Sequence, residues 1–303
     1  MKVTIAICTW NRSRLLKQTI DSIRRADVPT GLDWQLLVVD NRSTDDTKEV
    51  VESFADSLPI KYCFESQQGH SHSRNRAVCE ADGDFIIWTD NDVRVDEQWL
   101  TAYVDGFQQH SQAHYFGGRI QPSFEGGMPD WLRATWDKCR AVYAWRDLGE
   151  EAVPLGNGVF PYGANFAVAT QVQRQFLYNP KDGRVGQGMI GDDEISVLRA
   201  ISQAGHQGVW LPDAGLQHII PPDRATPDYI RRYFLGQGHT NVRMNKVDKT
   251  AKEAFREYWT NRFAFQWKRF LKPADEWVSH LIRSSLSHGE YLELRELERT
   301  GAE

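Results

Sequence analysis

Phe85-Ile86-Ile87-Trp88-Thr89-Asp90-Asn91-Asp92 is an apolar, β-prone run that stops at two carboxylates spaced i and i+2 about one asparagine. A short run of large apolar residues reads as a buried strand. In an α/β sheet, ligands gather in the loops beyond the C-terminal ends of the strands. Two carboxylates held together there repel unless a cation or a proton lies between them. Mg2+ and Mn2+ take hard oxygen ligands and share their shells with substrate phosphates, so a phosphate-bearing substrate on a divalent ion fits this junction. Asp-x-Asp alone is equally a surface turn, because Asp and Asn side chains bond locally to the backbone.

Outward from this run, short apolar segments alternate with helical patterns. Val3 to Cys8, Leu36 to Val39, Ile60 to Phe64, Phe85 to Thr89 and Tyr115 to Ile120 read as strands. Leu15, Leu16, Thr19, Ile20 and Ile23 recur at helical spacing, as do Val50, Val51 and Phe54. Strands separated by helices predict an α/β fold with a mostly parallel, Rossmann-like sheet flanked by helices. Ser43 with Asp46 three residues on resembles a capping box. The polar clusters at Thr9 to Arg12, Asp40 to Thr44 and Asp90 to Asp92 then fall on one edge of the sheet. That placement favours a site over a turn.

At 303 residues, with 41% hydrophobic and 25% charged residues, the chain has ordinary globular composition and can bury a sizeable core. A net charge of -5 argues against a general polyanion binder, so no nucleic-acid partner is expected. Cys8, Cys63, Cys79 and Cys139 lie far apart with no Cys-x-x-Cys pair, which suits reduced thiols and a cytoplasmic setting better than a disulfide framework. The N-terminus reads as a first strand and not as a signal segment. No stretch approaches the ~18 apolar residues of a membrane span.

Residues 121 to 190 are rich in Gly, Pro and Trp, as in a loop-built wall over a site. Trp131, Trp136, Tyr143 and Trp145 read either as stacking platforms for rings of a ligand or as core. Asp192 to Ala204 reads as a helix ended at Gly205, followed by a strand over Gly208 to Leu211 that leads to His218. Pro221-Pro222 marks a boundary, giving a catalytic domain over residues 1–220 and a helical extension over 221–303. The extension interleaves aromatic and basic residues, notably from Trp259 to Phe270. It reads either as a brace or as a peripheral face resting on anionic lipid.

Several motifs together resemble family 2 inverting glycosyltransferases of the GT-A fold, in order over residues 1–220. Val3 to Asn11 resembles the first strand and the loop under the nucleotide. Val38-Val39-Asp40-Asn41-Arg42-Ser43-Thr44-Asp45-Asp46-Thr47 resembles the family's Val-Val-Asp-Asp-Gly-Ser-x-Asp-x-Thr. Gln68-Gly69-His70 with Ser73-Arg74-Asn75, then Asp90-Asn91-Asp92, Gly163-Ala164-Asn165 and Gly191-Asp192-Asp193 resemble the elements that follow. Arg42 stands where the family has glycine, which predicts a differently shaped loop there.

The resemblance implies a metal-dependent enzyme that moves a sugar from a nucleoside diphosphate sugar, UDP-sugar by default, to a hydroxyl of a glycan, lipid-linked or small-molecule acceptor. It implies donor contacts from Thr9, Asn11, Arg12, Asp40, Arg74, Asn75, Asp90, Asn91, Asn165 and Asp192. A Mn2+ or Mg2+ ion would be held by Asp92, with Asp90 and His218. Asp193 would be the catalytic base. A nucleotidyltransferase is the rival enzyme class, but those enzymes usually carry a Gly-rich loop after the first strand, and Cys8-Thr9-Trp10-Asn11-Arg12 has none. A non-catalytic sugar-nucleotide binder is the other rival.

Overall fold

A computed structural model describes residues 1–180, 193–244 and 246–300. Its strands are β1 (Lys2–Thr9), β2 (Asp33–Asp40), β3 (Ile60–Phe64), β4 (Phe85–Thr89), β5 (Val93–Val95), β6 (Ala113–Phe124), β7 (Pro154–Leu155), β8 (Asn165–Ala169) and β9 (Gln207–Ile220). The longer helices are α1 (Ser13–Arg25), α2 (Thr47–Glu52), α3 (His70–Glu80) and α4 (Trp99–Gln109), then, after the single turns α5 (Asp130–Arg133), α6 (Trp136–Cys139) and α7 (Thr170–Gln173), α8 (Asp193–Gln203), α9 (Pro227–Arg243), α10 (Ala251–Leu271) and α11 (Ala274–Thr300).

The strands form one sheet in the order β3-β2-β1-β4-β8-β6-β9-β5, with β7 on β9. β3, β2, β1 and β4 are mutually parallel, while β8 runs antiparallel to both β4 and β6, and β5 antiparallel to β9. The parallel half is the part that βαβ alternation announces, because each crossover needs a helix. Strand residues alternate between two apolar layers. Val3, Ile5, Ile7, Leu36, Val38 and Ile87 pack with α1 and α4. Ala6, Leu37, Val39, Ile86 and Trp88 pack with α3 and α8. Burial on both faces explains why these strands read as unbroken hydrophobic runs.

The expected capping box at Ser43 does not form. The helix starts later, at Thr47, and Asp46 makes no side-chain cap. Ser43 is spent in the loop before it.

By contact, the chain divides into two compact units. The larger holds Met1–Ser123 and most of the chain from Ala144 to Ile219; the smaller holds Phe124–Tyr143 and Ile220–Glu303. In the smaller unit, Thr226 caps α9 with Pro227 in its first turn, and Thr250 and Glu253 form a reciprocal capping box on α10. Its apolar core joins Leu132, Val142 and Tyr143 to Ile230, Phe265, Val278 and Leu281. Tyr143 is fully buried in the core of this unit and stacks on Trp136, and Trp131 lies against Trp277; Trp131 and Trp136 are partly buried against that core. α9 and α11 cross at Gly238 and Gly289, where a Cβ on Gly289 would lie 2.0 Å from the Leu235 carbonyl oxygen. Only glycines permit so close an approach. No helix among the described residues is long and apolar enough to cross a membrane.

Candidate active site

The parallel register brings three polar strand ends to one edge of the sheet. Thr9 lies opposite Asp40, and Ile7 opposite Thr89, so the loops that follow β1, β2 and β4 are neighbours. Asn91 donates from Nδ2 to Thr9 Oγ1 at 2.9 Å, tying the β4 loop to the end of β1. Thr9 and Asn91 are both buried, so this bond fixes the loop framework.

The β1 and β2 loops are bonded to each other. Asn11 donates its backbone N–H to Ser43 Oγ at 2.9 Å, and its Oδ1 accepts from the Thr44 N–H at 2.7 Å. Asn11 and Arg42 have φ of 50° and 64°, in the left-handed region. Arg42 therefore holds a backbone conformation that glycine adopts freely. Asp45 accepts from the Ser13 N–H at 2.9 Å and from the Thr47 hydroxyl. Burial raises the pKa of its carboxyl, but these hydrogen bonds together outweigh that and hold it below its ordinary range.

Asp40 is 3% exposed. One of its oxygens accepts from the Ser43 N–H at 2.9 Å and the other from Tyr62 Oη at 2.8 Å. Burial, reinforced by Asp40, pushes the Tyr62 hydroxyl well above the ordinary phenol range, so it remains a donor. Each Asp40 oxygen keeps a further lone pair for a ligand. Tyr62 was not foreseen as a partner. The signal lies in the register: Asp40 pairs with Phe64, and Tyr62, two residues earlier, shares its face.

Asp92 is equally buried and has a cationic or polar group at each oxygen. Arg12 donates from Nη1 to Oδ2 at 2.7 Å, and His218 Nε2 stands 3.5 Å from Oδ1. β5 pairs with β9 so that Val93 faces His218, and the Ile219 N–H donates to the Asp92 carbonyl at 2.7 Å. This short ladder joins residues far apart in sequence. Asp90 is half-buried, two residues before Asp92. No group of three or more His, Cys, Asp or Glu poised for a metal exists among the described residues. A carboxylate and an imidazole nonetheless fit Mn2+ or Mg2+, which commonly binds through one or two carboxylates and completes its shell with water and substrate phosphate.

Three expected donor contacts are engaged elsewhere. Arg74 is 3% exposed, with its guanidinium 5.0 Å from the Tyr178 ring centroid and near Trp88 and Phe166. Its Nη1 lies 3.4 Å from Glu194 Oε2 in α8. Gly163 lies against this pair, since a Cβ there would sit 2.7 Å from Arg74 Nη2. Arg74 is thus a buried tie between α3 and α8, and Glu194 is the partner that the acidic run Asp192-Asp193-Glu194 concealed. Asn75 exchanges hydrogen bonds with the backbone of Tyr178, 2.8 and 2.9 Å long.

Asn165 is fully buried. Its Oδ1 accepts from Trp99 Nε1 at 2.8 Å and Tyr103 Oη at 2.9 Å, and its Nδ2 donates to the carbonyls of Arg119 at 2.9 Å and Ala214 at 2.7 Å. An amide with four partners inside the core has nothing left for a donor sugar, so Asn165 is a structural hub. Asp192 lies outside the described residues. Asp193 is the first residue of α8.

Residues 4–156, half of the chain, match the family model described as Glycosyl transferase family 2. The chain belongs to this family and is a glycosyltransferase. It is 23% identical over 254 residues to a glucosyl-dolichyl phosphate glucuronosyltransferase of Haloferax volcanii, covering 79% of this chain and 76% of that protein. Against a succinoglycan biosynthesis protein of Rhizobium meliloti it is 22% identical over 251 residues, 82% of this chain and 77% of the relative. Among solved structures it superposes on a mannosyltransferase from Pyrobaculum calidifontis in complex with GDP-Man and Mn2+, with a TM-score of 0.58 at 17% identity over 94% of this chain and 86% of that one. Residues 1–349 of TarS from S. aureus in complex with UDP give 0.55 at 15% identity, covering 99% and 92%. The fold is GT-A.

Proposed function

We propose that the chain transfers a sugar, with inversion at the anomeric carbon, from a nucleoside diphosphate sugar to a hydroxyl of a glycan or lipid-linked acceptor. UDP-sugar is the proposed donor. The observation that carries this reading is Asp92 flanked by Arg12 and His218 on the same sheet edge as Asp40. Solved structures of this fold with UDP and with GDP-Man and Mn2+ support a nucleotide-sugar donor, and the dolichyl phosphate in the Haloferax relative's name supports a lipid-linked acceptor.

In this reading Asp40 accepts from the nucleoside, Asn11 shapes the loop beneath it, and Asp90 faces the ribose or reaches the cation through water. Asp92 and His218 would hold Mn2+ or Mg2+, which when bound neutralises charge growing on the departing diphosphate. Arg12 places a further positive charge beside that position. Asp193 takes the proton from the acceptor hydroxyl as its oxygen bonds to the anomeric carbon. The bond from that carbon to the diphosphate breaks on the opposite face, and the electron pair leaves with the phosphate. Residues 1–220 would carry the chemistry, and the reduced thiols at all four cysteines suit a cytoplasmic setting.

The test is nucleoside diphosphate release from a panel of nucleotide sugars with Mn2+, comparing Asp92→Ala with Asp193→Asn. The first should lose metal-dependent donor binding; the second should bind donor and not transfer. The reverse pattern overturns the assignment, and donor binding without turnover in every form, wild type included, makes the chain a binder.

A further inference from the structure

α10 carries an unusual outer face. Phe255, Trp259, Phe263 and Trp267 recur every fourth residue, and Phe270 and Leu271 continue the line at the helix end. Residues four apart lie on one side of a helix. Phe263 and Trp267 are each 66% exposed, Phe270 72% and Leu271 61%. The opposite side of α10 already has its core partners: Ala254 and Phe265 are buried, and Tyr258 stacks on His288 of α11 at 4.3 Å. Phe255 lies 5.0 Å from the Tyr291 ring of α11, so it is the stretch from Phe263 to Leu271 that is additional to the packing that holds this helix in its unit. Contiguous large aromatics in water mark an interaction surface.

Charge identifies the occupant. Between Glu257 and Asp275 the chain has Arg262, Lys268, Arg269 and Lys272 and no carboxylate; Lys268 pairs with Glu276 at 3.3 Å, which leaves Arg269 and Lys272 as the exposed cations beside Phe270 and Leu271. Arg256 is exposed within the ridge, and the Arg269 guanidinium lies 4.4 Å from the Phe270 ring centroid. A second copy seated by a two-fold would set these cations against one another. An anionic bilayer surface complements both properties: aromatic rings enter the headgroup boundary while Arg and Lys meet lipid phosphates.

We propose that the outer face of α10 is a peripheral docking surface for anionic lipid, with Phe263, Trp267, Phe270 and Leu271 inserting between headgroups. It stands independently of the catalytic reading, because vesicle binding is measured without sugar transfer.

The full chain is floated with vesicles of phosphatidylcholine alone or mixed with phosphatidylglycerol. It should rise with the mixed vesicles, bind phosphatidylcholine weakly, and release as salt screens the attraction. The triple variant Phe263→Ser, Trp267→Ser, Phe270→Ser removes only exposed rings, so its far-ultraviolet circular dichroism should stay unchanged while binding to mixed vesicles falls at least about tenfold. Arg269→Gln with Lys272→Gln keeps the ridge and should lose the preference for phosphatidylglycerol. Wild-type protein that stays down with mixed vesicles overturns the proposal, as does a folded triple variant that binds like wild type. Self-association that the triple variant abolishes, without vesicle binding, would assign the face to a second copy.

Discussion

Replacing Asn165 by leucine tests whether this residue serves the core or the donor. The two side chains share branching and heavy-atom number, but leucine's methyl groups are bulkier than the amide atoms they replace and cannot sit at hydrogen-bonding distance, so overpacking adds to the loss. What it removes is an acceptor for Trp99 Nε1 and Tyr103 Oη and a donor for the Arg119 and Ala214 carbonyls. Trp99 and Tyr103 are fully buried, so water does not take over. Each orphaned buried donor costs about 1–3 kcal/mol, and the carbonyls add less, which puts the loss at roughly 3–6 kcal/mol before overpacking increases it. Against a total stability of about 5–15 kcal/mol, that is a large fraction. Urea denaturation followed by tryptophan fluorescence measures it. Tyr103→Phe in the Asn165→Leu background removes one orphan and should recover about 1–2 kcal/mol. A loss below about 1 kcal/mol, joined to weakened UDP binding, would refute the hub and return Asn165 to the donor site.

Two further outcomes concern the smaller unit. Gly289→Ala puts a methyl group against the Leu235 carbonyl of α9, a backbone atom that cannot rotate away, and should cost about 3 kcal/mol; an unchanged thermal midpoint would show that α9 and α11 do not cross so closely. Glu293 accepts from His239 Nδ1 and Arg243 Nε at 2.8 Å each. Burial raises its pKa, but these bonds and charges outweigh that and hold it below its ordinary 4.5. A carboxyl depressed in the folded state adds stability above its unfolded pKa and loses it as pH falls through the folded one. Thermal midpoints should therefore drop below about pH 4.5, and Glu293→Gln should flatten that drop; parallel pH profiles for the two proteins would count against the linkage.

Much of the fold was legible because β1, β2 and β4 are covered on both faces over most of their length and so read as continuous apolar runs. Ile60 to Phe64 and Phe85 to Thr89 were bounded to the residue. β8 was hidden because Asn165 opens it and looks like a turn residue, whereas in the sheet its amide is paired on all sides. β5 was hidden by its length of three residues. Motif order located the sheet edge correctly and brought Asp92 to His218. Direction of side chains was not legible: nothing in Ser73-Arg74-Asn75 reveals that the guanidinium turns inward to Glu194 and three aromatic rings. Such facts depend on the packing of residues more than a hundred positions apart.

The ladder between β5 and β9 has an evolutionary consequence. His218 reaches Asp92 only through that pairing, and side chains along a strand alternate with a period of two. One residue inserted or deleted between Trp210 and His218 would turn the imidazole to the opposite face while leaving a strand that still pairs. In this chain, substitutions along β9 leave that alternation intact, whereas a change in the number of residues before His218 does not.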